Sequence, residues 1–194
     1  MPRKLSRTTR LVTTAGVAAV AALAAPAAAS AAECPVQPTT QAFAAYGDPN
    51  QYFAAPGGTF DSLDSWNRIR SPQLTGGFNL LELTSESDAV ALKSGEGVSS
   101  VSFCVDRTMP HLRFVANHDG GGQLDVTVTT RYNGGSDSNS GSIAPDSHRL
   151  WAPSQFVDLK TSAIPEGEQG TTTVTFRSQG DWRVDDVAID PYRR

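Results

Sequence analysis

The segment GDWRVDDVAID, residues 180–190, sets two carboxylates, Asp185 and Asp186, side by side in a run whose other members, Trp182, Val184, Val187 and Ile189, call for burial. Paired acids are the working groups of glycoside hydrolysis, where the two carboxyls sit about 5 to 10 Å apart around one substrate. Neighbours on a strand point to opposite faces, so these two do not meet that geometry by themselves. A pair assembled from different strands is the remaining route to a small glycoside hydrolase. Nucleophilic chemistry has less to work with, since no G-x-S-x-G occurs and the serines of SDSNSG sit in a glycine-rich turn with nothing to activate them. His111, His118 and His148 show neither H-x-H nor H-E-x-x-H spacing, so zinc chemistry is not indicated. SDSNSG, 136–141, has the acid and amide content of a calcium loop. It puts Gly where a ligand belongs and lacks the closing Glu, and so reads as a turn. No catalytic motif emerges, and no N-x-[ST] sequon is present.

The strand that carries the two acids poses a problem of parity. If Val187 and Ile189 face the core, Asp185 faces it too, while Trp182 and Val184 point the other way. Either both faces of the strand are covered, or a bulge near the aspartates resets the register. A buried carboxylate is costly unless it is hydrogen-bonded, paired or metal-bound. The candidates are calcium, an ion pair with Arg183, Arg113 or Arg177, or a turn-capping role.

Elsewhere, 3.6-residue periodicity is absent, and short runs rich in Val, Thr and Phe recur between Gly, Pro, Asn and Asp clusters. QLDVTVTTRY, 123–132, is the cleanest: Leu124, Val126 and Val128 alternate with Asp125, Thr127 and Thr129, giving one wet and one buried face. Further strands are expected over 52–54, 78–83, 89–92, 101–105, 112–116, 156–159, 172–177 and 182–189. With turn signals at PGG, SGEG and DGGG between them, about nine strands fit an all-β, antiparallel β-sandwich of jelly-roll type in two sheets. The polar run GGSDSNSG from residue 134 is expected to be a mobile turn.

The chain opens with four basic residues and no acid in MPRKLSRTTR, then runs through an Ala-rich apolar stretch broken by Pro26 to small A-x-A residues. This is the layout of a secretory signal peptide, expected to be cleaved near Ala32. The domains are then 1–32 as signal peptide, 33–50 as an extended segment and 51–194 as the sandwich, with a secreted location. Of 16 basic residues the leader holds four, so the remainder stands at −8, with no basic run; on charge alone no nucleic-acid partner is expected. No second apolar run reaches transmembrane length. The two cysteines, Cys34 and Cys104, survive cleavage into an oxidising compartment and are expected to form one disulfide.

Set beside WRVDDVAI, the segment APGGTFDSLDSW, 55–66, brings a Gly pair, an aromatic, an acid and a Trp to the other end of the domain. Together they resemble the calcium-binding jelly-roll carbohydrate-binding modules of the galactose-binding-like fold. Those modules begin with an N-G-x-F-E…W segment and close on an aromatic strand with Asp-Asp or Asp-Asn. The resemblance implies a structural Ca2+ between the chain ends, with Asp61 standing where the family has Glu, Asp185 as the strand ligand and a carbonyl near Gly58 completing the oxygens calcium wants. The ending is also similar to secreted bacterial β-sandwich proteins of no assigned activity that close on G-D-W-R-[IV]-D-D-V.

The resemblance further implies a polysaccharide or cell-surface glycan as partner, gripped by an aromatic platform and a few polar groups. Trp151 in RLWAPS and Tyr132 beside NGG are the expected platforms, with Arg131, Asn133 and Asp125 as polar contacts near Tyr132. Trp66 and Trp182 are expected in the core. The sequence therefore reads as a secreted, non-enzymatic β-sandwich that binds glycan. Its rivals are a structural or protein-interaction domain of the bacterial surface and the small hydrolase.

Overall fold

The alternation in LDVTVTTRY becomes a nine-residue strand whose even-numbered residues through Thr130 are buried and whose odd-numbered ones are wet. It belongs to a computed structural model that describes residues 34–78, 88–145 and 150–191. The expected leader, 1–32, lies outside the described residues, as does the strand expected over 78–83 apart from Phe78, which is not in a strand. The described strands are β1 (Phe53–Ala54), β2 (Trp66–Ile69), β3 (Gln73–Gly76), β4 (Asp88–Leu92), β5 (Gly97–Ser100), β6 (Phe103–Val105) and β7 (His111–His118), followed by β8 (Leu124–Tyr132), β9 (Gly135–Ile143), β10 (Ala152–Pro153), β11 (Val157–Asp158), β12 (Gly170–Ser178) and β13 (Trp182–Asp190).

They form two antiparallel sheets, ordered β10-β7-β13-β4-β3 with β1 on β13 and β11 on β7, and β2-β5-β12-β8-β9 with β6 on β12. The expected β-sandwich is thus the fold. Its interior joins Trp66, Val98, Val126, Val128, Val174 and Phe176 of the second sheet to Val90, Leu112, Phe114, Val184, Val187 and Ile189 of the first. Phe176 is the central ring, edge-on to Phe114 at 4.9 Å and tilted against Trp66 at 5.9 Å. Trp66 and Trp182 are core residues, each 4% exposed.

Both answers to the parity problem are realised. Asp185 pairs with Val115 and Ala188 with Arg113, so β13 carries one residue more than β7 between these rungs. That bulge is what lets Trp182 and Val184, then Val187 and Ile189, all reach the same core. The opposite face is covered as well: Ala42, Phe43 and Tyr52 pack on Val115 and Ala188. The covering segment is closed by the Thr40 and Tyr52 backbone, which exchange two hydrogen bonds of 2.8 Å, and by a 3-10 turn over Ala44–Tyr46. Residues 34–39 have no regular structure and are tied down by the Cys34–Cys104 disulfide, which forms as expected.

The polar run from residue 134 is not a loose turn but β9, paired with β8 along its whole length. A two-residue turn, Asn133–Gly134, reverses the chain, and Gly134 supplies the positive φ (96°) that its second position needs. Each outward Ser of β9 lies beside an outward residue of β8, as in the 3.1 Å bond between the Ser138 and Thr129 hydroxyls. Strands β2, β3, β5 and β10 were likewise not anticipated; all are four residues or shorter. At that length pairing with neighbours, rather than intrinsic preference, decides the conformation.

Candidate functional site

At the bulge, Asp185 and Asp186 are 1% and 2% exposed. The Asp185 carboxylate accepts the Phe78 N–H at 2.7 Å and the Asp186 N–H at 2.8 Å, so it caps both its own bulge and a chain segment from far away in sequence. Gly77 makes room for it: a Cβ there would lie 2.3 Å from Asp185 Oδ2. The bulge is clamped from the other side by Ala55 N–H to the Val187 carbonyl (2.8 Å) and Val187 N–H to the Gly58 carbonyl (2.9 Å). A Cβ on Gly58 would sit 2.4 Å from the Val187 oxygen, so the glycine is required by this close approach. Asp186 itself takes φ of +46°.

Burial pushes the Asp185 carboxyl up to about 8, with repulsion from Asp186 and Asp61 added and its two N–H donors opposing. None of the three arginines expected as ion-pair partners is used here. Arg113 pairs with Asp48 at 2.7 Å, Arg183 with Asp119 at 2.5 Å, and Arg177 is exposed on the other sheet. Asp61 is exposed and accepts the Thr59 hydroxyl at 2.9 Å. Among the described residues no three His, Cys, Asp or Glu side chains cluster as metal ligands.

The residues expected to grip a glycan are dispersed. Trp151 is half-buried over the outer face of the first sheet, stacked on Phe78 with ring centres 6.2 Å apart. Tyr132 lies in the second sheet, packed in part against the interior, its hydroxyl 3.3 Å from Asp137, with Arg131 and Asn133 exposed beside it. Asp125 is not near Tyr132: it stands at the opposite end of β8, roughly 20 Å away at the rise of an extended strand. There the Ser142 hydroxyl (2.5 Å) and the Gln179 amide (2.8 Å) hold its carboxyl below the usual range.

What the sequence did not single out is Phe156, half-exposed at the mouth of a groove of about 390 Å³ between β9 and β11. Val126, Ile143 and Val157 give the groove an apolar floor, and Asn139, Ser140 and Gln155 bring amides and a hydroxyl to it. Past Ile143, Ala144 and Gln155 it continues into a smaller hollow of about 170 Å³ that includes His118 and the exposed Leu150. The Phe156 ring is steadied by His111 at 5.2 Å and by the Arg113 guanidinium at 5.1 Å, which also lies over Phe43. Arg113 is itself fixed by Asp48 and by its Nε bond to the Ser154 carbonyl. Ser154 in turn exchanges bonds with the Phe114 backbone, so the segment that presents Phe156 is pinned to β7. The signal available in sequence was an apolar, proline-containing run, LWAPSQF, too irregular for either period.

No family model matches the chain, and no curated protein matches it in sequence. Solved structures that it resembles are mainly carbohydrate-binding modules. A family 11 module from Clostridium thermocellum, solved with a β-1,3-1,4-mixed-linked tetrasaccharide, is 12% identical with a TM-score of 0.45, over 71% of this chain and 94% of that one. A module of Cellvibrio mixtus lichenase 5A, solved with cellotriose, is 14% identical with a TM-score of 0.41, over 66% and 92%. The enzymatically active domain of a tailspike protein of bacteriophage CBA120 is 10% identical with a TM-score of 0.46; the match covers 70% of this chain and about a fifth (21%) of that one.

Proposed function

We propose that the protein is a secreted, non-enzymatic glycan-binding domain and that the groove between β9 and β11 is where it binds. The observation that supports this is the groove's make-up. A half-exposed aromatic ring and an apolar floor suit the C–H faces of a sugar, and Asn139, Gln155 and Ser140 suit its hydroxyls. The continuation toward Leu150 gives it the elongated form that suits several residues of a chain rather than one. Among the described residues that line the two parts of the groove there is no carboxylate.

The test is a binding screen of the protein against soluble and insoluble polysaccharides, followed by Phe156→Ala, Gln155→Ala, Trp151→Ala and Tyr132→Ala. Affinity at least about tenfold weaker in the first two and unchanged in Tyr132→Ala is the expected result. Binding that ignores Phe156 but is lost with Trp151 or Tyr132 moves the site to another face, and a blank screen overturns the reading.

Calcium is the cofactor we propose for the Asp185 end of the molecule. What supports it is charge: a buried carboxylate with two more acids close enough to repel it is stabilised by a bound cation. The fit is one of charge rather than of a finished shell. Asp61, Asp185 and the Gly58 carbonyl would need water and further backbone oxygens to reach six to eight ligands. A chelator is expected to lower the melting temperature of the wild type and to leave Asp185→Ala unchanged; equal wild-type melts with and without chelator exclude the ion.

A further inference from the structure

Every other sheet edge in the described residues is short or protected. β3 has four residues, β10 two with Pro153 among them, and β2 four with Arg68 in its middle. β9 is different. It has nine residues, no Lys, Arg or Pro and one charge, Asp137, and it pairs on one side only among the described strands. Long, flat, weakly charged edges are the ones proteins normally block, because their free N–H and C=O groups are a template for another strand.

We infer that β9 is the pairing edge for a second copy of this chain, joined antiparallel about a two-fold axis through Asn139. The register follows from the hairpin. Tyr132 and Gly135 close a two-residue turn, so the odd-numbered residues of β9 bond to β8, and Ser136, Ser138, Ser140 and Ser142 direct their backbone groups outward. Pairing centred on Asn139 places Ser138 opposite Ser140 of the second copy and Ser136 opposite Ser142. Outward groups therefore meet outward groups in phase. The same register sets Asp137 opposite Gly141, so the only charge on the strand faces no like charge and has the room that a glycine leaves. The interface is isologous, as a two-fold requires, and joins two six-stranded sheets into one.

Sedimentation and light scattering of the purified protein over a range of concentrations test this. A concentration-dependent two-copy species is expected. Ser138→Pro removes an outward N–H that β8 does not use, and by symmetry it deletes two bonds across the axis. It should weaken the dimer about tenfold or more while leaving the circular dichroism spectrum unchanged. Asn139→Cys tests the register without proline: two such residues face each other at the axis in a close, non-hydrogen-bonded pair and should cross-link on oxidation, whereas Gly141→Cys should not. Single-copy mass at every concentration, or a folded Ser138→Pro protein that dimerises as the wild type does, overturns the inference.

Discussion

Asp48 and Asp185 are buried acids whose protonation acts on stability in opposite directions. For Asp48, burial alone would raise the carboxyl's pKa, but the Tyr52 hydroxyl, the Asn50 N–H and Arg113 together pull it below the ordinary value. Its contribution is present above the unfolded value near 3.8 and is lost as pH falls through the lower folded one. For Asp185, folded at about 8 against 3.8 unfolded, the contribution is complete below the unfolded value and is lost as pH rises through the folded one. Urea melts at a series of pH values should therefore show stability falling between about pH 4 and 8 by on the order of 1 kcal/mol per unit. Asp185→Asn should flatten that fall, and so should saturating calcium if the ion binds there. A wild type equally stable at pH 5 and 8 without calcium would contradict the assignment. Asp48→Ala leaves the largely buried Arg113 guanidinium, 2.7 Å from that carboxylate, without its charge partner and with only the Ser154 carbonyl to accept from it. The expected cost is on the order of 3 kcal/mol in the same melts, with Phe156 losing its support as well.

At the scale of elements, the bulge in β13 is held by the contact between the Gly58 turn and Val187. Gly58→Ala drives a methyl toward the Val187 carbonyl and is expected to destabilise by roughly 1 to 3 kcal/mol, read as a lower urea midpoint at constant slope. The parity conflict was legible in the sequence, because Trp182 and Val184 differ in parity from Val187 and Ile189; it left a bulge and a strand covered on both faces as answers, and the structure has both. Strand β8 was legible for the same kind of reason, a strict alternation of apolar and polar residues. Strand β9 was not, since Ser, Gly and Asn favour turns and its conformation is imposed by pairing with β8. The groove escaped notice because β9 was read as a turn, and because the segment before β11 reaches the β8–β9 hairpin through the fold and not through any shared sequence pattern. Asp125 and Tyr132 were read as neighbours because they share one short segment, but an extended backbone sets the ends of nine residues far apart.

For the molecule as a whole, the disulfide ties an otherwise irregular N-terminal stretch to β6 across 70 residues. In the chain-entropy account a loop of that length contributes about 4 kcal/mol. Cys34→Ser with Cys104→Ser should lower the unfolding free energy by about that amount while the sandwich persists; loss of the fold altogether would mean that the small domain depends on its staple. The last strand has a different kind of leverage. β13 is not at an edge but lies between β7 and β4, with β1 also bonded to it, so the first sheet has no complete interior until that strand arrives. A chain emerging from the ribosome can form the β8–β9 hairpin early, yet it cannot close the sandwich until residue 190 or so has been made. On that topology the core closes only when the last strand is in place, and a chain lacking it has no complete first sheet to resist being drawn out straight.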